Sequence, residues 1–339
     1  MFTKKVITLV LMIALAFSLF GCKAVDVMKG LVSDEGSQDI EIVRSGDEGT
    51  EVTADANLRD TVLYYQNENG YLVPVKRKIP WETGIAKAAL RSMIDSPAVR
   101  EDISAIGLEP VIPTGAEILG MSISEEGLCK VNFNSQVLNY QSQKEEENLV
   151  KGVVYTLTEF PTISEVQLMV DGQSLAQLEY GTQIGSALKR EDINSMASND
   201  SEDPNIVVFY KGTSNGEYEY YVPVTVPVAT SESEMYTAVD KLFEGPPVDS
   251  GLYTDIPDGV YLQDVVFSEG LVFVDLIVDN VDVISQQITF DRMAKNIGLT
   301  LSQFDSVESV DLLIGGQTVE EAGINIAEPD TMPVFANEY

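Results

Sequence analysis

Between Leu119 and Phe133, apolar residues fall on alternate positions. Leu119, Met121 and Ile123 form one run, Cys129, Val131 and Phe133 a second, with Glu125-Glu126-Gly127 between them. A period of two broken by a Gly-containing turn predicts a half-buried hairpin. The period then changes. Leu149, Val150, Val153, Val154 and Leu157 recur at helical spacing and predict an amphipathic helix over about Lys144–Thr158. A strand over Ile163–Val170 closes the unit. Upstream, Thr61–Tyr65 and Tyr71–Arg77 flank a turn at Asn67–Gly70, the pattern of another hairpin. Pro80 precedes a helix over about Glu82–Met93, with Ile85, Ala88, Ala89 and Met93 on one face. Ser96-Pro97 is expected to stop it.

The same order then recurs. Ile206–Tyr210 and Tyr218–Val226 surround a turn at Gly212–Gly216. Ser231-Glu-Ser-Glu234 has the form of a capping box ahead of a helix lined by Met235, Val239, Leu242 and Phe243, which Gly245 ends. Val260–Phe267 and Leu271–Leu276 form the next hairpin, and Thr289–Ser302 the later helix. The repeat is most visible where FPTISEVQLMVDGQ, Phe160–Gln173, returns 144 residues later as FDSVESVDLLIGGQ, Phe304–Gln317. A solenoid has a period of about 20–50 residues, so this spacing predicts two tandem domains, each β-β-α-β-β-α-β. The expected class is α+β, an antiparallel-rich sheet with helices packed on one face. The domains are expected at 58–184 and 205–328, with a polar linker at 185–204 and a tail at 329–339. Within the linker, Leu188–Met196 has the composition of a short helix.

The N-terminal residues follow neither period. Lys4 and Lys5 precede an uncharged apolar run, Val6–Phe20, which ends in Leu19-Phe20-Gly21-Cys22. The run is shorter than the 20 or so residues of a membrane span and matches the apolar region of a secretory signal. Its last four residues resemble a bacterial lipobox. Residues 1–21 are therefore expected to be a lipoprotein signal peptide and Cys22 an acylated N-terminus; an uncleaved signal anchor is the competing expectation. Residues 23–57 carry nine acidic and three basic side chains with scattered Gly and Ser. They are expected to be a disordered tether, which as a flexible coil spans roughly 33 Å root-mean-square.

Charge and composition narrow the chemistry. The formal net charge is −33 and the chain has no His. So acidic a chain is expected to repel nucleic acid, whose binding begins with Lys and Arg meeting phosphates. Without His there is no Ser-His-Asp or Cys-His pair and no His-containing zinc site. Cys22 and Cys129 are the only thiols, and Cys129 aligns with Val272 of the second copy on the apolar phase of its strand, as a core residue does. Gly212-Thr-Ser214-Asn-Gly216 matches G-x-S-x-G, but it falls between two strands, where a nucleophile elbow needs a strand-to-helix turn. Asp275, Asp279 and Asp282 are a candidate calcium set, although their spacing fits no EF-hand loop. Asn132 and Asp275 align on the polar phase of equivalent strands, so a carboxylate pair common to both copies is absent there. Tyr64, Tyr65 and Tyr71, with Tyr218, Tyr220 and Tyr221, cluster in the first hairpin of each copy. They read as cross-strand packing or as an interaction surface. No catalytic residue, cofactor or metal is expected.

The lipobox Cys22, the hairpins with Pro74-Val75 and Pro223-Val224, the turns Pro113-Thr-Gly115 and Pro257-Asp-Gly259, and the V-x-L strands ending in Gly-Gln together resemble the GerM family. Members are lipoproteins with two GerMN domains, and the resemblance covers about Leu58 to Glu328. It implies a role in sporulation and spore germination, a domain similar to the ring-building modules of secretion and sporulation channels, and no catalytic residues. The function expected is that of a non-enzymatic, membrane-anchored scaffold outside the cytoplasm. Its partners would be envelope or sporulation-channel proteins, and its contact with the membrane the lipid on Cys22. The competing expectations are a peptidoglycan-acting enzyme using carboxylates and a solute-binding lipoprotein.

Overall fold

The computed structural model describes residues 58–80, 84–195, 205–214, 216–228, 233–327 and 329–339. The expected signal peptide, Cys22 and the tether at 23–57 lie outside the described residues, as do Ser231 and residues 196–204 of the expected linker. Among the described residues, no helix is long and apolar enough to cross a membrane.

The first copy comprises β1 (Leu58–Gln66), β2 (Leu72–Pro80), α1 (Ile85–Arg91), α2 (Pro97–Ser104), β3 (Ile118–Ile123), β4 (Leu128–Phe133), α3 (Gln143–Thr158) and β5 (Glu165–Val170). The second comprises β6 (Asn205–Ser214), β7 (Tyr218–Pro227), α4 (Glu234–Glu244), β8 (Val260–Ser268), β9 (Leu271–Val278), α5 (Gln287–Leu301), β10 (Ser309–Ile314) and the two-residue β11 (Gln317–Thr318). The class is the α+β expected, with antiparallel pairing dominant. In each copy the strands divide into a hairpin and a separate mixed sheet. β4 and β5 pair in parallel, as do β9 and β10, because a long helix carries the chain across between them.

Three local expectations change. Pro97 does not merely end α1: with Ser96 accepting from the Val99 N–H, it opens α2 as a first-turn proline. Among the described residues, the second copy has no counterpart of α2. Ser233, not Ser231, caps α4, accepting from Tyr236 N at 3.1 Å. Leu188–Ser195 is not helical; Leu188 instead pairs with Val166 in an extended bridge.

The copies correspond in detail. Cys129 and Val272 are both fully buried and stand beside Val166 and Val310 in equivalent parallel registers. On the long helices, Leu149, Val150, Val153 and Leu157 are buried, as are Met293, Ala294, Ile297 and Leu301. Thr156 and Thr300 use their Oγ1 atoms alike, accepting from Tyr64 N and Phe209 N at 3.2 Å in each copy. A buried hydroxyl thereby satisfies a strand N–H that faces the helix. The closing turns also match. Asp171-Gly172 and Gly315-Gly316 hold positive φ at both central positions, the geometry of a two-residue hairpin turn. Asn132 Oδ1 accepts from Gly172 N at 2.8 Å, and Asp275 Oδ1 from Gly316 N at 2.9 Å. The aligned polar pair is thus a turn cap in both copies.

Candidate functional site

Strands β2 and β7 are the innermost strands of the two hairpins. Leu72-Val73-Pro74-Val75, which open β2, and Tyr221-Val222-Pro223-Val224, at the centre of β7, are wholly buried. They do not form a ladder with each other; two asparagines lie between them. The Asn194 amide accepts from Leu72 N at 2.7 Å and donates to Leu72 O and Pro223 O at 2.8 Å each. The Asn337 amide accepts from Tyr221 N at 2.7 Å and donates to Tyr221 O and Pro74 O, again at 2.8 Å each. Exchanging the copies maps one set of bonds onto the other, Leu72 with Tyr221 and Pro74 with Pro223. Because Leu72 lies near Pro223 and Pro74 near Tyr221, the two strands run in opposite directions.

The prolines follow from the same accounting. Every second residue of each strand turns its main chain toward the joint. At residue 72 or 221 both main-chain groups are met by an amide. At residue 76 or 225 the N–H is met by a carbonyl, Asn337 O at 2.8 Å or Ile193 O at 2.9 Å. The residue between is Pro74 or Pro223, where the amide donates to the carbonyl. Proline has no N–H to leave unsatisfied at this position. Further bonds cross the joint: Asn67 Nδ2 to Tyr220 OH at 3.1 Å, and Tyr71 OH to Ser250 O at 3.1 Å. Ser214 Oγ donates to Ile106 O. The serine of the G-x-S-x-G motif is therefore buried on β6 and engaged by the other copy. The tyrosine clusters turn inward too. Tyr64, Tyr65, Tyr220 and Tyr221 are buried; Tyr220 and Tyr71 bond across the joint, whereas the hydroxyls of Tyr64, Tyr65 and Tyr221 bond within their own copies, to Glu159, Ser92 O and Asp255.

The C-terminal residues strap this joint from outside. Lys76 pairs with Glu338 at 3.0 Å and lies 4.6 Å over the Phe335 ring; Tyr218 OH donates to Glu338 O at 3.0 Å. The tail reaches this place by passing over Gly298, where a Cβ would sit 1.6 Å from Thr331 O. Asn194 and Asn337 went unnoticed in the sequence because they stand in segments without apolar period. Their separation of 143 residues, close to the repeat spacing, was the available signal.

The remaining candidates are structural in their surroundings. Burial pushes the Cys129 thiol up to about 11, which leaves it protonated at neutral pH. Asp279 accepts from Tyr261 OH at 3.3 Å, while Asp275 is committed to its turn. Among the described residues, no group of three or more His, Cys, Asp or Glu side chains could hold a metal. The most enzyme-like cluster was missed by sequence reasoning. Lys211, buried on β6, lies 2.9 Å from Asp255 and 3.0 Å from Glu219. Tyr221 OH donates to Asp255 at 2.6 Å and Tyr253 OH to Glu219 at 3.2 Å. The hydrogen bond from Lys211 leads the effects that lower the Glu219 carboxyl. Burial, then the Asp255 carboxylate, raises Tyr221 far above the ordinary phenol value. Each acid has a cation or a phenol, and the Lys has two acids, so the cluster offers no unengaged base. It stitches β6 to the loop before β8.

Comparison with known proteins places this geometry. The model of the Germane family, described as sporulation and spore germination, matches residues 62–176 and 207–320, one match per copy. The chain is 30% identical over 286 residues to the spore germination protein GerM of Bacillus subtilis strain 168, covering 81% of this chain and 77% of that protein. Its structure is similar to that of the tandem GerMN domains of the sporulation protein GerM from Bacillus subtilis. The TM-score is 0.69 at 27% identity, over 83% of this chain and 99% of the other.

Proposed function

The chain belongs to the Germane family, and from that membership we propose that it is a non-enzymatic, lipid-anchored envelope scaffold acting in sporulation and spore germination. The observation that carries this reading is the joint. The two copies use their buried polar groups to hold each other: Asn194 and Asn337 bridge the strands, and Ser214 is engaged across them. What remains is a two-copy body in which Ser214, Asp275 and Asp279 are engaged in hydrogen bonds and Cys129 is buried. Its domains are 58–184 and 205–328, with 185–204 connecting them. The signal-like run before Cys22 supports an acylated Cys22 and a tether of roughly 33 Å, which would hold the body outside the cytoplasm beside other anchored envelope proteins.

Deletion of either copy in a spore-forming host should impair sporulation or germination. Single Asp or Glu substitutions that leave the fold intact should not. Cys22→Ala should release the protein from membranes or leave it unprocessed. A purified chain that degrades peptidoglycan, and loses that activity on one carboxylate substitution, would overturn the scaffold reading.

A further inference from the structure

The outer faces of the two mixed sheets have diverged. In the first copy, Ser122 stands opposite Lys130, with Gln167 beside Lys130 on β5. The equivalent positions in the second copy are Val266 opposite Phe273, with Asp311 beside Phe273 on β10. Tyr261 and Ile277 lie on the same face beyond the Asp264–Asp275 pair; they are 52% and 48% exposed, and Val266 49%. Phe273 is on this face because Val272 and Val274, its neighbours in the strand, are fully buried on the other. Where the first copy has a cation between polar neighbours, the second has an apolar pair between carboxylates.

The charge around that face has one sign. Residues 242–291 and 296–339 contain no Lys or Arg. Asp264 stands directly opposite Asp275, where the first copy has Gly120 opposite Asn132. Like charges facing across an antiparallel pair destabilise it, and no basic residue in β8, β9 or β10 offsets them. The edge of the sheet is a poorer site than its face. β8 ends the strand order, and its register is broken by a bulge between Leu262 and Asp264, a feature that discourages edge pairing.

We propose that the outer face of β8, β9 and β10 is a docking surface for a partner protein presenting an apolar patch rimmed by Lys or Arg. Charge complementarity selects this occupant. A second copy would bring the same acids against these, and an anionic bilayer would be repelled. A basic rim would meet Asp264 and Asp311 while Phe273 and Val266 fill the apolar centre, the arrangement of a central anchor with a polar border. The proposal rests on the scaffold reading and assigns that scaffold one surface and one partner chemistry.

The test uses the full chain in cells that make it, with a photo-crosslinking amino acid at position 266 and, as the internal control, at the equivalent position 122. Cross-linking from 266 to a partner peptide with Lys or Arg flanking apolar residues, and none from 122, is expected. Phe273→Ser should lower that yield roughly tenfold, and Asp264→Asn with Asp311→Asn should also lower it; an unchanged melting profile checks that each variant folds. Equal yields from 266 and 122, cross-links to another copy or to lipid, a partner peptide without basic residues, or no cross-link would each overturn the proposal. If a copy deletion still impairs sporulation or germination, the scaffold reading survives that failure; if it does not, both fall.

Discussion

Asn337→Ala tests the joint most directly. The substitution removes three hydrogen bonds of 2.7–2.8 Å from a residue only 6% exposed. Tyr221 N–H loses its partner, while Tyr221 O and Pro74 O each lose a donor. Leaving a buried main-chain group unpaired costs about 1–3 kcal/mol. A water entering the polar space left by the amide would restore part of this. The net expectation is a loss of about 2–4 kcal/mol, nearly all of it in the coupling of the copies and not in either core. Asn194→Ala should cost a similar amount, since its three bonds have the same lengths. Combined, the two should not simply add, because both hold the same pair of strands. The double variant is expected to unfold in urea in two steps with a smaller slope at each, where the parent unfolds in one. Circular dichroism across a urea series reads both quantities. A double variant that keeps one transition and loses less than about 0.5 kcal/mol, the usual range for an inert surface change, would refute this account of the joint.

Gly298→Ala should act on the same joint from a distance, because the new methyl group collides with Thr331 O and the tail must lift; a loss of about 1–3 kcal/mol, with faster amide exchange at Lys76 and Tyr221, is the expected result. Lys211→Met should destabilise the second copy by about 3–5 kcal/mol, because Asp255 and Glu219 lose the buried cation they share, and a double-mutant cycle with Asp255→Asn should show strong coupling. Glu146 predicts a pH dependence. Burial works to raise its carboxyl, but the N–H groups of Tyr180 and Thr182, donating at 2.8 and 2.9 Å, bring it below the ordinary carboxylate value. Its contribution is therefore present above the unfolded value of about 4.3 and is lost as pH falls through the lower folded value; urea titrations across that range should show a smaller acid loss in Glu146→Gln than in the parent.

The elements and their tandem order were legible in the chain because they depend on local periodicity. Alternation marks β3 and β4, although Leu119 and Ile123 on β3 are exposed and only the β4 phase is buried; helical spacing marks α3 and α5, and the return of the Phe160–Gln173 pattern at Phe304–Gln317 marks the repeat. The same alternation placed Cys129 and Val272 in the core, where both are fully buried. The absence of His and the context of the G-x-S-x-G motif already argued against the usual hydrolase chemistry.

Tertiary structure alone decided how the copies meet. A hydrogen bond from Asn337 to Pro74 spans 263 residues, and no local pattern encodes which distant main-chain group an amide will find. Asn194 and Asn337 sit in polar stretches that read as connector and tail, since side-chain amides belong as readily in loops as in buried bridges. The bonds of Tyr220 to Asn67 and of Tyr71 to Ser250 across the joint are likewise a property of the assembled pair. Even Pro74 and Pro223, visible as an echo in the sequence, acquired their reason only when the strands on either side of the joint were in place: each stands where the opposing amide offers a donor and no acceptor is left for an N–H.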